Sequence, residues 1–179
     1  MTVSERSGSA GREDAPCAGV LLIGVGNEFR NDDALGLLIA REFRRRCPEG
    51  LAVLENDGDG ASIVSALQEV REAVLVDAIR SGAVPGTIHR VDMAAEHLPA
   101  SLEFGGTHGF GVAQAVETAR QLKCLPRHLI LCGIEGATFE IGRGLSDPVL
   151  RSVPRLITLI ETELRNLLGR DILAGVRPA

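Results

Sequence analysis

Two periods of apolar and polar residues take turns along this chain. Gly19-Val-Leu-Leu-Ile-Gly24 is a short apolar run, and residues 33–46 then set Ala34, Leu35, Leu38, Ile39 and Phe43 at helical spacing among Arg and Glu. The run reads as a strand buried on both faces, the spacing as an amphipathic helix. The pattern repeats, with a strand over Leu51–Leu54 and a helix over residues 61–70 that carries Ile63, Val64 and Leu67 on one face. Glu72-Ala-Val-Leu-Val-Asp77 is apolar until it ends on an acid. Thr87–Val91 alternates and follows closely through Pro85-Gly86, which suggests an antiparallel neighbour. Residues 109–123 predict a helix with Val112, Ala113, Val116 and Ala119 inward. His128–Ile134 predicts a buried strand and Ala137–Ile141 a short exposed one. Residues 146–168 close the chain as a long helix with Leu150, Val153, Ile157, Ile160, Leu164 and Leu167 at helical spacing.

Strands that alternate with helices and are apolar on both faces predict an α/β fold. The expected architecture is a single α/β domain over residues 18–168, a three-layer α/β/α sandwich. Its sheet of about five strands is mostly parallel, and mixed where Thr87–Val91 joins. Residues 1–17, rich in Ser, Gly, Arg and Glu, read as a disordered N-terminal tail, and residues 169–179 as a C-terminal tail.

Composition narrows the function. Apolar residues make up 45% and charged residues 24%, an ordinary globular balance. Aromatics are only 3%, with no Trp and no Tyr, so the core rests on Leu, Ile, Val and Ala, and a base-stacking surface is disfavoured. Net charge is −5, and the one dense positive run, Arg44-Arg45-Arg46, falls at a helix end where the macrodipole favours it. No nucleic-acid partner is expected. No apolar run reaches the roughly 20 residues of a membrane span, and the polar start lacks a signal-peptide core. Cys17, Cys47, Cys124 and Cys132 show neither CxxC nor zinc-finger spacing. Together these features predict free thiols in a cytoplasmic, reducing setting without a membrane partner.

In such sheets ligands bind beyond the carboxyl ends of the strands. Three segments fall there: Gly24-Val-Gly-Asn-Glu-Phe-Arg-Asn-Asp-Asp33, Asp77, and Gly105-Gly-Thr-His108-Gly. The first is not a dinucleotide fingerprint, because Phe29 stands where the third glycine belongs and Glu55 lies too far on for a ribose acid. Gly24 and Gly26 read instead as a tight turn with close packing. Of Asp32 and Asp33, one suffices to cap the following helix, which frees the other to project over the strand ends. A carboxylate at Asp77, ending an apolar run, costs several kcal/mol if buried alone or shifts its pKa. It needs a partner, a metal or a functional role. His108 precedes a helix, whose positive end keeps an imidazole neutral and able to bind metal. Two carboxylates and a neutral His suit a divalent transition metal such as nickel or zinc, and suit an acid/base cluster equally. His89, His97 and His128 read as structural. Asp57-Gly-Asp59-Gly fails as a calcium loop, since Ser62 and Gln68 occupy its key positions, and reads as a turn on the site rim. Cys124 and Cys132 read as buried and inert.

The chain resembles the NiFe-hydrogenase maturation endopeptidases at these segments. The matching pieces are Gly24-x-Gly26-Asn27-x-Phe29-x-x-Asp32-Asp33-x-x-Gly36, then Val76-Asp77-Ala78 with Pro85-Gly86-Thr87, then Thr107-His108-Gly-Phe-Gly. Their order and spacing agree across about residues 19–168. The resemblance implies an aspartic-type or metal-assisted peptidase that removes the C-terminal extension of the hydrogenase large-subunit precursor once nickel is inserted. It implies that Asp33, Asp77 and His108 bind the metal and form the catalytic cluster, with the nucleophile open. Asn27, Asp57 and Gly58 fall on the substrate rim. Nickel would arrive on the precursor, and other divalent transition metals could substitute. A carboxylate or a metal-activated water would deliver hydroxide to the peptide carbonyl. The chain departs from the family pattern in carrying Asp33 where some relatives have Glu, and Ala34 where Gly is common. Asn56-Asp57-Gly58-Asp59-Gly60 also matches the family's Asp-Gly-Gly stretch only loosely. Three other readings remain open: a non-proteolytic metal-binding or nickel-sensing chaperone, a nucleotide-binding enzyme and a cysteine peptidase.

Overall fold

The computed structural model describes residues 19–46, 48–95, 103–104 and 111–169. Residues 1–17, Cys47, His97, His108 and residues 170–179 lie outside this set, so the predicted N-terminal tail and most of the C-terminal one are not among the described residues.

Strand β1 (Val20–Val25) is buried along its whole length. It runs parallel to β2 (Leu51–Asn56) on one side and to β3 (Glu72–Arg80) on the other. Beyond β3 lie β6 (His128–Glu135), parallel to it, and β4 (Ile88–Asp92), antiparallel to β6. The path is therefore β2-β1-β3-β6-β4, with the two-residue β5 (Glu103–Phe104) added antiparallel to the end of β3. This is the mixed, mostly parallel five-strand sheet that the sequence predicts, plus one short strand. The expectation that β4 follows β3 as its neighbour is corrected, because β6 takes that edge through an eight-pair ladder from Glu72↔His128 to Ile79↔Glu135. Left on the outside of the sheet, β4 is only partly buried, as its alternating pattern requires.

Helices cover both faces. Helices α1 (Leu35–Arg46) and α4 (Asp147–Leu168) pack on Val74, Val76 and Ala78. Helices α2 (Gly60–Gln68) and α3 (Val112–Gln121) pack on Ala73, Leu75 and Ile79. Each large aliphatic side chain so buried stabilises by about 1.5–3 kcal/mol. Three local expectations shift. In α3 the inward alanine is Ala115 rather than Ala113. In α4 the buried stripe is Val149, Leu156, Ile160 and Leu164, which leaves Leu150 exposed. Glu163 lies in that stripe and receives a bidentate grip from Arg90 of β4 at 2.8 and 3.1 Å, fastening the edge strand to the helix. Residues 137–141 form no strand; they are a loop that buries Phe139, touching the rest of the chain through an isolated bridge at Gly142.

The seating of α1 decides where the polar groups fall. A Cβ on Gly36 would lie 2.2 Å from the carbonyl oxygen of Val25 and 2.3 Å from that of Val76. One on Gly24 would lie 2.1 Å from the Gly36 oxygen. Helix and sheet therefore touch backbone to backbone. Replacing Gly36 with Ala should destabilise the protein by about 3 kcal/mol, since backbone on both sides cannot retreat. A urea titration that finds an unchanged midpoint would contradict this seating.

Candidate active site

Strand β1 continues to β2 on one side, while the chain returns to β3 on its other side, so the strand order reverses between β1 and β3. Such a switch point opens a crevice beyond the strand ends. The β1–β3 ladder stops at Gly24↔Val76. There the chain leaves the sheet through Gly26, whose φ of +148° and whose missing Cβ, 1.8 Å from the Asp33 carbonyl oxygen, admit no side chain. Asn27 N donates to that same oxygen at 3.1 Å, and a single 3-10 turn (Asn31–Ala34) precedes α1. The helix thus begins two residues later than its apolar spacing suggests.

Both acids of the turn are buried, and the bonds of Asp32 are not those of a simple helix cap. Asp32 caps nothing. It accepts from Ala137 N at 2.8 Å, Thr138 N at 3.0 Å, Ser146 N at 2.6 Å and Ser146 Oγ at 2.9 Å, which ties the loop after β6 to the loop after β1. A buried carboxylate needs several donors, and that loop supplies them. Asp33, 1% exposed, is set by the Gly26 contact at the crevice.

Asp77 faces the same crevice and is also 1% exposed. Strand β3 runs past it to Arg80, because β6 and β5 pair with the extension; among the described residues only the β1 side is open at this level. Its Oδ1 accepts from Ala78 N at 2.7 Å. Burial pushes the Asp77 carboxyl well above its ordinary range, the negative charge of Asp33 pushes it further, and the Ala78 amide offsets only part. The structure thus brings two of the predicted residues, Asp33 and Asp77, into electrostatic contact. His108 lies outside the described residues, and among the described residues no three His, Cys, Asp or Glu side chains gather at metal-binding range.

The predicted rim divides in two. Asn27 serves the β1 loop itself, with Oδ1 accepting from Phe29 N at 2.9 Å. Asp57 lines a cleft of about 320 Å³ at the end of β2 with Leu37, Glu55, Asn56, Asp59 and Ser62. Gly58, at φ +98°, donates its N–H to Asn56 Oδ1, and Asp59 caps α2 through Ala61 N and Ser62 N.

Sequence reasoning passed over Glu135. Buried at the end of β6, it accepts from Ser81 N, Ser81 Oγ and Gly82 N at 2.8–2.9 Å and meets His89 Nε2 at 3.1 Å. Burial raises its carboxyl, but the bonds from Ser81, Gly82 and His89 outweigh that and hold it below the usual range. The available signal was the one that marked Asp77, an acid closing an apolar run. Ile79 fills the space above Gly133, the residue paired with Asp77, and so stands between Asp77 and this cluster. Glu135 and His89 therefore clamp the turn after β3. Cys124 and Cys132 are buried and free; burial first and Glu163 second push the Cys132 thiol up to about 12, so it is no nucleophile.

A charge pair that destabilises its own carboxyl has a stability signature. A folded-state pKa raised above the unfolded one leaves stability intact below the ordinary carboxylate range and removes it as pH rises through the folded pKa. Asp77→Asn should therefore raise the stability of the metal-free protein by ~1–2 kcal/mol at neutral pH, with the gain shrinking toward acid. Thermal melts at several pH values test this; a variant less stable than the parent at neutral pH would contradict it.

No helix among the described residues is long and apolar enough to cross a membrane. The sequence profile of the hydrogenase maturation protease family matches residues 38–163, a span that contains Asp77 and begins five residues after Asp33. The chain is 28% identical over 139 residues to a hydrogenase expression/formation protein HupD of Bradyrhizobium diazoefficiens, covering 74% of this chain and 70% of that one. It is 26% identical over 155 residues to a putative hydrogenase maturation protease of Methanocaldococcus jannaschii, covering 82% and 96%. Its fold is shared with the hydrogenase maturating endopeptidase HybD from Escherichia coli (TM-score 0.68, 21% identity, 82% of this chain and 92% of that one). It is shared also with the maturation protease HycI from Thermococcus kodakarensis (TM-score 0.62, 22% identity, 84% and 92%). With more than half of its length matched by one family, this chain belongs to the hydrogenase maturation proteases and is a peptidase.

Proposed function

We propose that this peptidase removes the C-terminal extension of a NiFe-hydrogenase large-subunit precursor after nickel has been inserted, and that Asp33, Asp77 and His108 receive the metal. One observation carries the reading. Asp33 and Asp77 are both buried at the switch point, and the negative charge of Asp33 makes that of Asp77 more costly. A fold keeps such a pair only where something offsets it, and oxygen donors that repel each other suit a divalent cation. His108, on a segment implicated by its resemblance to the family, supplies the third donor.

Nickel in this reading is part of the substrate. The precursor brings it to the crevice, and its charge relieves the repulsion between the two carboxylates. A nickel-free precursor offers no such relief, so the pair discriminates loaded from unloaded protein. The same residues suit the hydrolysis. Asp33 anchors the metal and holds the chain in place. Asp77, kept ionised by the charge of the metal, is suited to take a proton from the attacking water and pass it to the departing amide nitrogen. The oxygen of that water bonds to the carbonyl carbon as the C–N bond breaks. Other divalent transition metals of similar ligand preference could occupy the same donors. Asn27, Asp57 and Gly58 border the approach, and the cleft lined by Asp57 takes the extended chain near the cut. The buried free thiols Cys124 and Cys132 suit a reducing cytoplasm.

Asp77→Ala and His108→Ala should each slow processing of nickel-loaded precursor by at least about a hundredfold, the scale of acid–base and positioning losses. Intact-mass measurement over time reads the cut. Full processing by either variant would overturn the site assignment.

A further inference from the structure

The loops after β1 and β6 meet beside the carboxylate pair as a short two-stranded ledge. Arg30 and Gly142 form an isolated parallel bridge; Gly142 N donates to the Phe29 carbonyl at 2.9 Å, and Asn31 N to the Gly142 carbonyl at 3.1 Å. In that register Phe29 stands opposite Ile141. The four bonds of Asp32 fix the ledge from beneath. Its outer side is apolar: Phe29 is 51% exposed and Ile141 89% exposed, with the Arg143 guanidinium stacked 4.6 Å over the Phe29 ring.

A single exposed apolar side chain is ordinary. Here two are aligned on a stiff support and joined by an arginine, next to the crevice that must receive a peptide bond. The distribution is one-sided as well. Among the described residues, Phe29, Val84, Ile141, Leu150 and, in the first turn of α1, Leu38 are exposed toward the carboxyl end of the sheet, whereas Leu122 lies at the opposite end. Arg80 also stacks on a ring of this loop, 4.5 Å from Phe139, and neither Arg80 nor Arg143 pairs with a carboxylate among the described residues. Glu140 is the acid of the ledge.

We infer that the ledge of Phe29, Ile141 and Arg143 is the docking face for the folded body of the precursor, at an apolar depression rimmed by carboxylates. The inference rests on the proposed function and extends it to a second contact. The two flanks of the crevice differ in shape. The cleft of about 320 Å³ beside Asp57 has room for one or two side chains of an extended segment. The ledge protrudes, so it fits a hollow in a folded surface. Aromatic and arginine anchors of this kind carry most of the energy in protein interfaces, and the exposed Arg143 guanidinium favours an acidic rim on the partner.

The test is steady-state processing of nickel-loaded full-length precursor by the parent and by Ile141→Glu, Arg143→Glu and Leu122→Glu. The parent should cut. Ile141→Glu and Arg143→Glu should each raise KM by about tenfold or more with kcat retained, the loss expected for an interface anchor. Leu122→Glu, at a comparably exposed site on the far end, should match the parent. Because Ile141 is almost wholly in water, its substitution leaves the fold intact. A parent that cuts, with Ile141→Glu at the parental KM, would overturn the ledge and spare the proposed function. So would a fall in kcat at unchanged KM, or a parent dimer that Ile141→Glu dissociates without altering KM. A parent that leaves loaded precursor uncut would overturn the proposed function itself.

Discussion

The start of α1 rests on bare backbone, and the placement of the site follows from that contact. Gly24, Gly26 and Gly36 let the helix approach until a methyl group at any of them would meet a carbonyl oxygen at 2.3 Å or less. At ordinary helix-to-sheet distance the preceding 3-10 turn would hang over solvent and its acids would be hydrated. Drawn down onto the ends of β1 and β3, the turn buries Asp33 within electrostatic reach of Asp77. The switch in strand order supplies the crevice, and the glycines supply the closeness that makes two carboxylates one unit.

Buried acids elsewhere in the molecule show how unusual that unit is. Asp32 has four donors, Glu135 has three and a histidine, and Glu163 has a guanidinium. Each is satisfied and each holds two segments together. Among the described residues Asp77 has one backbone amide and a negative neighbour, and its carboxyl moves up where that of Glu135 moves down. The contrast sets Asp77 apart from the acids that build the fold, and we propose that it awaits a ligand. In our reading the awaited ligand is the nickel of a completed precursor, which couples cleavage to metal loading through charge alone.

Much of this was legible in the chain. Apolar runs and helical spacings placed every major strand and helix, because burial on one face or two leaves a periodic trace. Asp77 stood out as an acid where only apolar residues belong, and the motif pieces pointed to Asp33 beside it. Contacts between distant segments were not legible. Nothing local to Asp32 tells that its donors come from residues 137–146, so the sequence leaves it as one of two candidate helix caps. Residues 137–141 alternate like a strand, yet their partner is the β1 loop rather than the sheet. The place of β4 beside β6 depends on which strand wins the edge of β3, a competition settled across 56 positions from Glu72 to His128. The stripe of α4 was misjudged by one position at Leu150, since a helix with apolar residues on several faces does not announce which face meets the sheet.

The central claim is that the Asp33–Asp77 pair recognises a metal-loaded substrate and cuts it. Incubating the protein with nickel-loaded and nickel-free large-subunit precursor, and following intact mass, tests recognition and hydrolysis together. The account predicts loss of a C-terminal fragment from the loaded precursor only. Equal cleavage of both forms, or binding of the loaded form without any loss of mass, would contradict it.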